Sequence, residues 1–290
     1  MGGEQLIEQA RASYDAGDFR AARELALQGL AEHPDDPALL RLAGRASSEL
    51  GLADAIDHLE RATTIDPDDA DVWRDFAGAY VNEGRLGEAR KALERALQLR
   101  PDDGGALVDL GHVAYAEGDR DSAVIHLREA AERDSGNVDA LRGLVGIYRR
   151  LGNDDEALEA AREVCRLEPD AVPACLELAE LSLERGRAKD AVAEFSRLRT
   201  IDEEPEHEVY AYHGMIEAEV KRGRWRRALD LAVDATRVDR LGRTTDVLAF
   251  VVAQVFGGGE RPAPRREEVE QALAASRMEH RRLHEETLVL

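Results

Sequence analysis

Glycine returns along this chain at Gly17, Gly51, Gly84, Gly118, Gly152, Gly186 and Gly223, with gaps of 34, 33, 34, 34, 34 and 37 residues. Alanine follows in step at Ala22, Ala55, Ala89, Ala123, Ala157, Ala191 and Ala228, and proline recurs at Pro34, Pro67, Pro101 and Pro169. A period of this length means one small supersecondary unit copied many times. Such a unit cannot hide its apolar face alone, so neighbours must stack to share a core. Seven copies fit the marks: 3–36, 37–69, 70–103, 104–137, 138–171, 172–208 and 209–242.

The copy at 70–103 shows what the unit is. Apolar residues recur at helical spacing up to Val81, Gly84 interrupts them, a second helical run follows, and Pro101 ends it. That pattern predicts two amphipathic helices joined by a glycine turn. The glycine lets the chain reverse through a left-handed conformation that costs other residues about 1 kcal/mol. Small residues in the first helix (Ala10, Gly44, Ala77, Gly111, Ala179) allow neighbouring backbones to approach. Trp73, Leu107, Leu141, Leu93, Leu127 and Phe195 are large enough to fill the spaces between.

Two copies are irregular. The second is one residue short between Gly51 and Ala55, and the sixth gains three residues around Asp202 to Glu208, where a wider loop is expected. Beyond residue 242 the period fails. Residues 243–256 are expected to form a capping helix, 257–264 a flexible linker and 265–290 a charged helix.

Composition narrows the function. Acidic residues outnumber basic ones 60 to 39, for a net charge of −21, which repels phosphate backbones and speaks against nucleic acid as a partner. Among the basic residues only Lys91, Lys189 and Lys221 are lysines, as coding bias in a GC-rich bacterial genome would give. Cys165 and Cys175 are too few for a disulfide framework and do not match a metal spacing, so buried thiols are expected. The apolar stretch Val247 to Phe256 is too short to span a bilayer, and Met-Gly-Gly-Glu-Gln-Leu lacks a signal core. A cytoplasmic protein is expected.

No phosphate-cradling loop, nucleophile elbow or zinc spacing appears. His280 and His284 lie one helical turn apart, but no third ligand follows, which leaves them as surface histidines. The sequence therefore predicts no enzyme, no cofactor and no metal.

The array resembles the tetratricopeptide repeat family. The period matches over residues 3–242, and the third copy carries nearly the whole signature: Trp73, Phe76, Ala77, Tyr80, Gly84, Ala89, Leu93, Ala96 and Pro101. The resemblance implies an all-α, right-handed superhelical solenoid of stacked antiparallel helix pairs, with first helices lining a concave face. It also implies that partners are held at set positions of each repeat. Those positions hold Arg11, Tyr14, Arg41, Arg45, Arg74, His112, Tyr115, Arg142, Arg149 and Arg150 here.

In the first five copies, three of these positions carry six arginines and no acid. Counting the outer positions over all seven copies adds acids, among them Glu4, Asp15, Glu49, Asp71 and Asp139, and the lining becomes roughly neutral. The resulting expectation is a non-catalytic scaffold that holds an acidic peptide, helix or C-terminal carboxylate of another protein. Arg41 and Arg45, one turn apart, would present parallel forks to a carboxylate. The clamp by which some family members grip a chaperone's C-terminus is not supported, because its later places hold Asp75, Gly105 and Asp109. Two alternatives stand beside this one. One is an assembly or oligomerisation module using the C-terminal helices; the other is a regulatory domain of a larger enzyme.

Overall fold

A computed structural model describes residues 3–201 and 205–238. These form fourteen α-helices, with no strand among the described residues. The chain divides into two compact units, residues 1–147 and 148–290.

The first unit holds four hairpins and most of a further helix. They are α1 (Gly3–Asp15) with α2 (Phe19–Glu32), α3 (Pro37–Glu49) with α4 (Ala55–Ile65), α5 (Ala70–Asn82) with α6 (Leu86–Leu99), and α7 (Gly104–Ala116) with α8 (Arg120–Arg133). Next comes α9 (Val138–Leu151), within which the boundary between the units falls. The second unit contains α10 (Asp154–Leu167), α11 (Val172–Glu184), α12 (Ala188–Ile201), α13 (Pro205–Lys221) and α14 (Trp225–Val238).

The turn between α5 and α6 shows how the unit is closed. Gly84 has a φ of 72°, and its N–H donates to the Val81 carbonyl at 2.9 Å. The Arg85 N–H reaches the Tyr80 carbonyl at 2.8 Å. This pair of bonds satisfies two of the orphan carbonyls of α5, and it requires a left-handed residue where glycine sits. The other six recurrent glycines also have positive φ, while no non-glycine residue does among the described residues.

Entry into α3, α5 and α7 is fixed by an acid two residues after the proline. Asp36 accepts from the Ala38 and Leu39 N–H groups, Asp69 from Asp71, and Asp103 from Ala106. These are N-caps, each contributing about 1 kcal/mol. Trp73 then ties α5 to the preceding linker, its indole N–H donating to the Pro67 carbonyl at 2.9 Å.

The core of the first unit is a row of layers rather than one centre. Ala77, Leu93, Ala106 and Leu110 pack together from α5, α6 and α7. On the other side of α5, Phe76 and Ala79 meet Ala55 and Leu59 of α4. The first helices are thus buried on two flanks, and one face of each is left to line a groove. Glycine permits the close approach of α3 to α4 and of α7 to α8: a Cβ on Gly44 would come within 2.5 Å of Leu59, and one on Gly111 within 2.7 Å of Leu127.

Two expectations need correction or restriction. The acidic insertion around Asp202 to Glu208 is not one wide loop, because α13 is already under way at Pro205, whose fixed φ suits the first helical position. Residues 202–204 lie outside the described residues. So do the expected capping helix over 243–256, the linker 257–264, the charged helix 265–290 and the His280–His284 pair.

The cysteines are free and buried, Cys165 on α10 and Cys175 on α11. Burial pushes the Cys165 thiol up to about 12 and raises that of Cys175, which leaves neither reactive at neutral pH. No helix among the described residues is long and apolar enough to cross a membrane.

Candidate functional site

In the first unit the exposed faces of α1, α3, α5 and α7 line a hollow of about 570 Å³. Tyr14, Arg41, Arg45, Arg74 and His112 all border it, so five of the residues singled out from the sequence converge there. An adjoining hollow of about 470 Å³ shares Arg74, Asp109 and His112 with the first and adds Arg142. Arg11 on α1 and Tyr115 on α7 do not border either hollow. In the second unit, Arg149 is half-buried and Arg150 exposed.

The first hollow has a charged end and an apolar end. At the charged end, Asp75 of α5 lies between two guanidinium groups of α3. Its Oδ2 accepts from the Arg41 Nε–H, and its Oδ1 lies 3.4 Å from the Arg45 Nε. Burial raises the Asp75 carboxyl, while Arg41 and Arg45 pull it down. Asp71 lies 3.7 Å from Arg41 and 2.8 Å from Arg100, and its hydrogen bond to Arg100 holds its carboxyl below the usual range. The Arg45 guanidinium also stacks 4.1 Å over the Tyr14 ring, whose hydroxyl donates to Glu49 at 3.1 Å.

One repeat further on, the Arg74 Nε–H donates to Asp109 at 2.6 Å. Gly105 makes room for that arginine, since a Cβ there would stand 2.5 Å from its guanidinium. Arg142 lies 3.9 Å from Asp139. In the second unit Arg149 faces Glu177 at 3.4 Å and Glu184 at 3.6 Å.

At the apolar end, Ala77, Val81, Leu86, Val113 and Ala116 border the hollow around Gly78. A Cβ on Gly78 would meet nothing within 4 Å, so the floor is open there. Asn82 closes the end, its side-chain amide donating to the Ser48 hydroxyl at 2.9 Å.

The arginines are therefore not unopposed. Around the first hollow stand three arginines and four acids: Glu49, Asp71, Asp75 and Asp109. The pairings run across the repeat, Tyr14 to Glu49, Arg41 to Asp75 and Arg74 to Asp109, at separations of 35, 34 and 35 residues. Neighbouring first helices lie side by side one period apart. A charge at residue i thus meets its partner near i+34, as charges four apart meet within one helix. Comparing each position with its equivalent one period on would have found Asp75 and Asp109 in the sequence. Glu184 follows Arg149 at the same separation and obeys the rule, whereas Glu177 follows it at a different spacing and carries no such signal.

Family models of the tetratricopeptide repeat match residues 7–70 and 108–172, and residues 52–111 and 80–128. Together they cover residues 7–172 without a break. The chain belongs to the tetratricopeptide repeat family.

Solved tetratricopeptide repeat structures share its all-α helical-repeat solenoid. The C-terminal part of a tetratricopeptide repeat protein from Cytophaga hutchinsonii aligns with a TM-score of 0.66 at 13% identity, covering 83% of this chain and 99% of its own. A thermophilic member from Thermus thermophilus aligns at 0.55 with 23% identity, over 63% of this chain and all of its own. YrrB, described as a tetratricopeptide repeat protein with an unusual peptide-binding site, aligns at 0.55 with 17% identity, over 67% and 99%. A comparison with curated proteins finds no match. The family is one of protein-protein interaction scaffolds. Among the described residues no group of three His, Cys, Asp or Glu side chains is placed to hold a metal ion.

Proposed function

We propose that this tetratricopeptide repeat protein is a non-catalytic scaffold that seats an acidic segment of a partner protein along its first helices. The observation that carries the reading is the pair Arg41 and Arg45, one turn apart on α3 at the rim of the hollow. Each guanidinium has five N–H donors, so a contact through Nε to Asp75 leaves donors in reserve for an incoming carboxylate. Tyr14 adds flat contact area, and the open floor over Gly78 admits a bound backbone or an apolar side chain. The peptide-binding site ascribed to YrrB, a neighbour in fold, is consistent with such use of this architecture.

A charge-assisted hydrogen bond contributes about 1.5–3 kcal/mol net, so two at the centre of the groove govern the affinity. The test is affinity capture from the source cell by the wild-type chain and by the Arg45→Glu, Arg142→Glu double variant, at low and at high salt. The wild type is expected to retain a partner that salt releases and that the variant does not hold. The same partner held with unchanged affinity by the variant would remove the groove from the account.

A further inference from the structure

We infer that Asp75 is an internal competitor in this groove, already neutralising through their Nε edges the Arg41 and Arg45 guanidinium groups that a partner's carboxylate would engage. The inference rests on the reading of the groove as a seat for an acidic segment, and it assigns the residue that sets how readily the seat is filled.

Both oxygens of Asp75 are committed, Oδ2 to Arg41 and Oδ1 to Arg45, and they come from the next helix along the stack. A carboxylate straddling two parallel forks is the geometry by which a guest acid would be held, and here the protein supplies it itself. The Asp75 side chain is 17% exposed, whereas those of Arg41 and Arg45 are 27% and 31% exposed. The acid is thus less exposed than the two guanidinium groups, and all three line the hollow. An approaching carboxylate meets two cations together with an anion in contact with both. Asp71, 3.7 Å from Arg41, opposes it further, although Arg100 holds that acid from its other side.

The alternative role for Asp75 is that of an orienting residue, which fixes the two Nε edges so that the remaining donors point outward. The two roles predict opposite signs for the same substitution. Asp75→Asn keeps the shape and a hydrogen-bond acceptor but removes the charge. For a competitor, acidic guests then bind more tightly. For an orienting residue, they bind more weakly.

The experiment uses the full chain and an immobilised array of nonapeptides, half of them carrying two to four Asp or Glu residues and half of matched composition carrying Lys or Arg. Wild type, Asp75→Asn, Asp75→Ser and the Arg41→Glu, Arg45→Glu double variant are each titrated over it. Circular dichroism checks that all are folded. A unit charge at about 4 Å is felt through water as a factor of about five in affinity. Asp75→Asn and Asp75→Ser are therefore expected to bind the acidic peptides at least about fivefold more tightly than wild type, with no gain for the basic ones. Gained capture of acidic peptides where wild type holds none supports the inference equally.

Unchanged or weakened binding by both Asp75 variants, with loss in the double arginine variant, overturns the competitor role and leaves the groove reading intact. Acidic peptides bound equally by wild type and the double arginine variant overturn both. So does an absence of capture by every variant.

Discussion

Replacing Gly111 by alanine is expected to change the sign of its effect when Leu127 is replaced as well. In the wild type, a Cβ on Gly111 would lie 2.7 Å from the Leu127 Cγ and 3.1 Å from its Cδ2, too close for either to stay in place. Leu127 is fully buried, and its terminal carbons also lie 3.0 Å from where a Cβ on Gly143 would stand. It is wedged between the first helices of two successive repeats and has nowhere to retreat. Overpacking of this kind costs about 1–3 kcal/mol, and alanine recovers about 1 kcal/mol over glycine inside a helix. Gly111→Ala alone should then lose about 0–2 kcal/mol.

Leu127→Ala alone removes a buried side chain and should cost about 3–5 kcal/mol. In that background the atoms that blocked position 111 are gone, and the nearest remaining neighbour is the Ala123 carbonyl at 3.3 Å. Alanine at 111 then gains its helix propensity and fills part of the cavity, a gain of about 1 kcal/mol or more. Urea unfolding of the four proteins, followed by circular dichroism, measures the cycle. A repeat array can unfold in more than one step, so hydrogen exchange at α7 and α8 should accompany it. An effect of Gly111→Ala with the same sign and size in both backgrounds would refute the wedge.

Two further outcomes follow from local geometry. His58 and His126 are each half-buried with an Nδ1 that finds no hydrogen-bond partner among the described residues, and burial lowers both from the ordinary imidazole value of 6.5. Below that value the unfolded chain binds more protons than the folded one. Stability is therefore present above pH 6.5 and should fall as pH drops through the lowered values. Thermal melts between pH 7 and 5 should show a decline that flattens in the His58→Gln, His126→Gln variant, and an equal slope in both proteins would contradict it. Two glycines six residues apart should respond oppositely to alanine. At Gly84 the positive φ makes it cost about 1 kcal/mol or more, while at Gly78, helical and unobstructed, it should gain up to about 1 kcal/mol.

Much of this protein was already determined by the order of its residues. Helix pairs, turn glycines and the family signature in residues 70–103 repeat locally. Each rests on a propensity or a steric rule that acts within a few positions. Gly84 must be left-handed wherever the hairpin packs, and Asp69 must cap α5 whatever lies beyond it. Of the ten residues that the family resemblance singled out, Tyr14, Arg41, Arg45, Arg74 and His112 border one hollow, while Arg11 and Tyr115 border neither that hollow nor the adjoining one. What the sequence left open was the charge that hollow presents. Reading each repeat separately put arginines at the rim and left Asp75 and Asp109 as residues of neighbouring positions. Only stacking sets α5 against α3 and α7 against α5, and only then do those acids come within hydrogen-bonding distance of Arg41 and Arg74. The start of α13 at Pro205 was open to a local reading as well, since proline suits the first position of a helix. Local rules write themselves into consecutive residues, whereas electrostatic partners a full period apart become neighbours only when the layers are laid side by side.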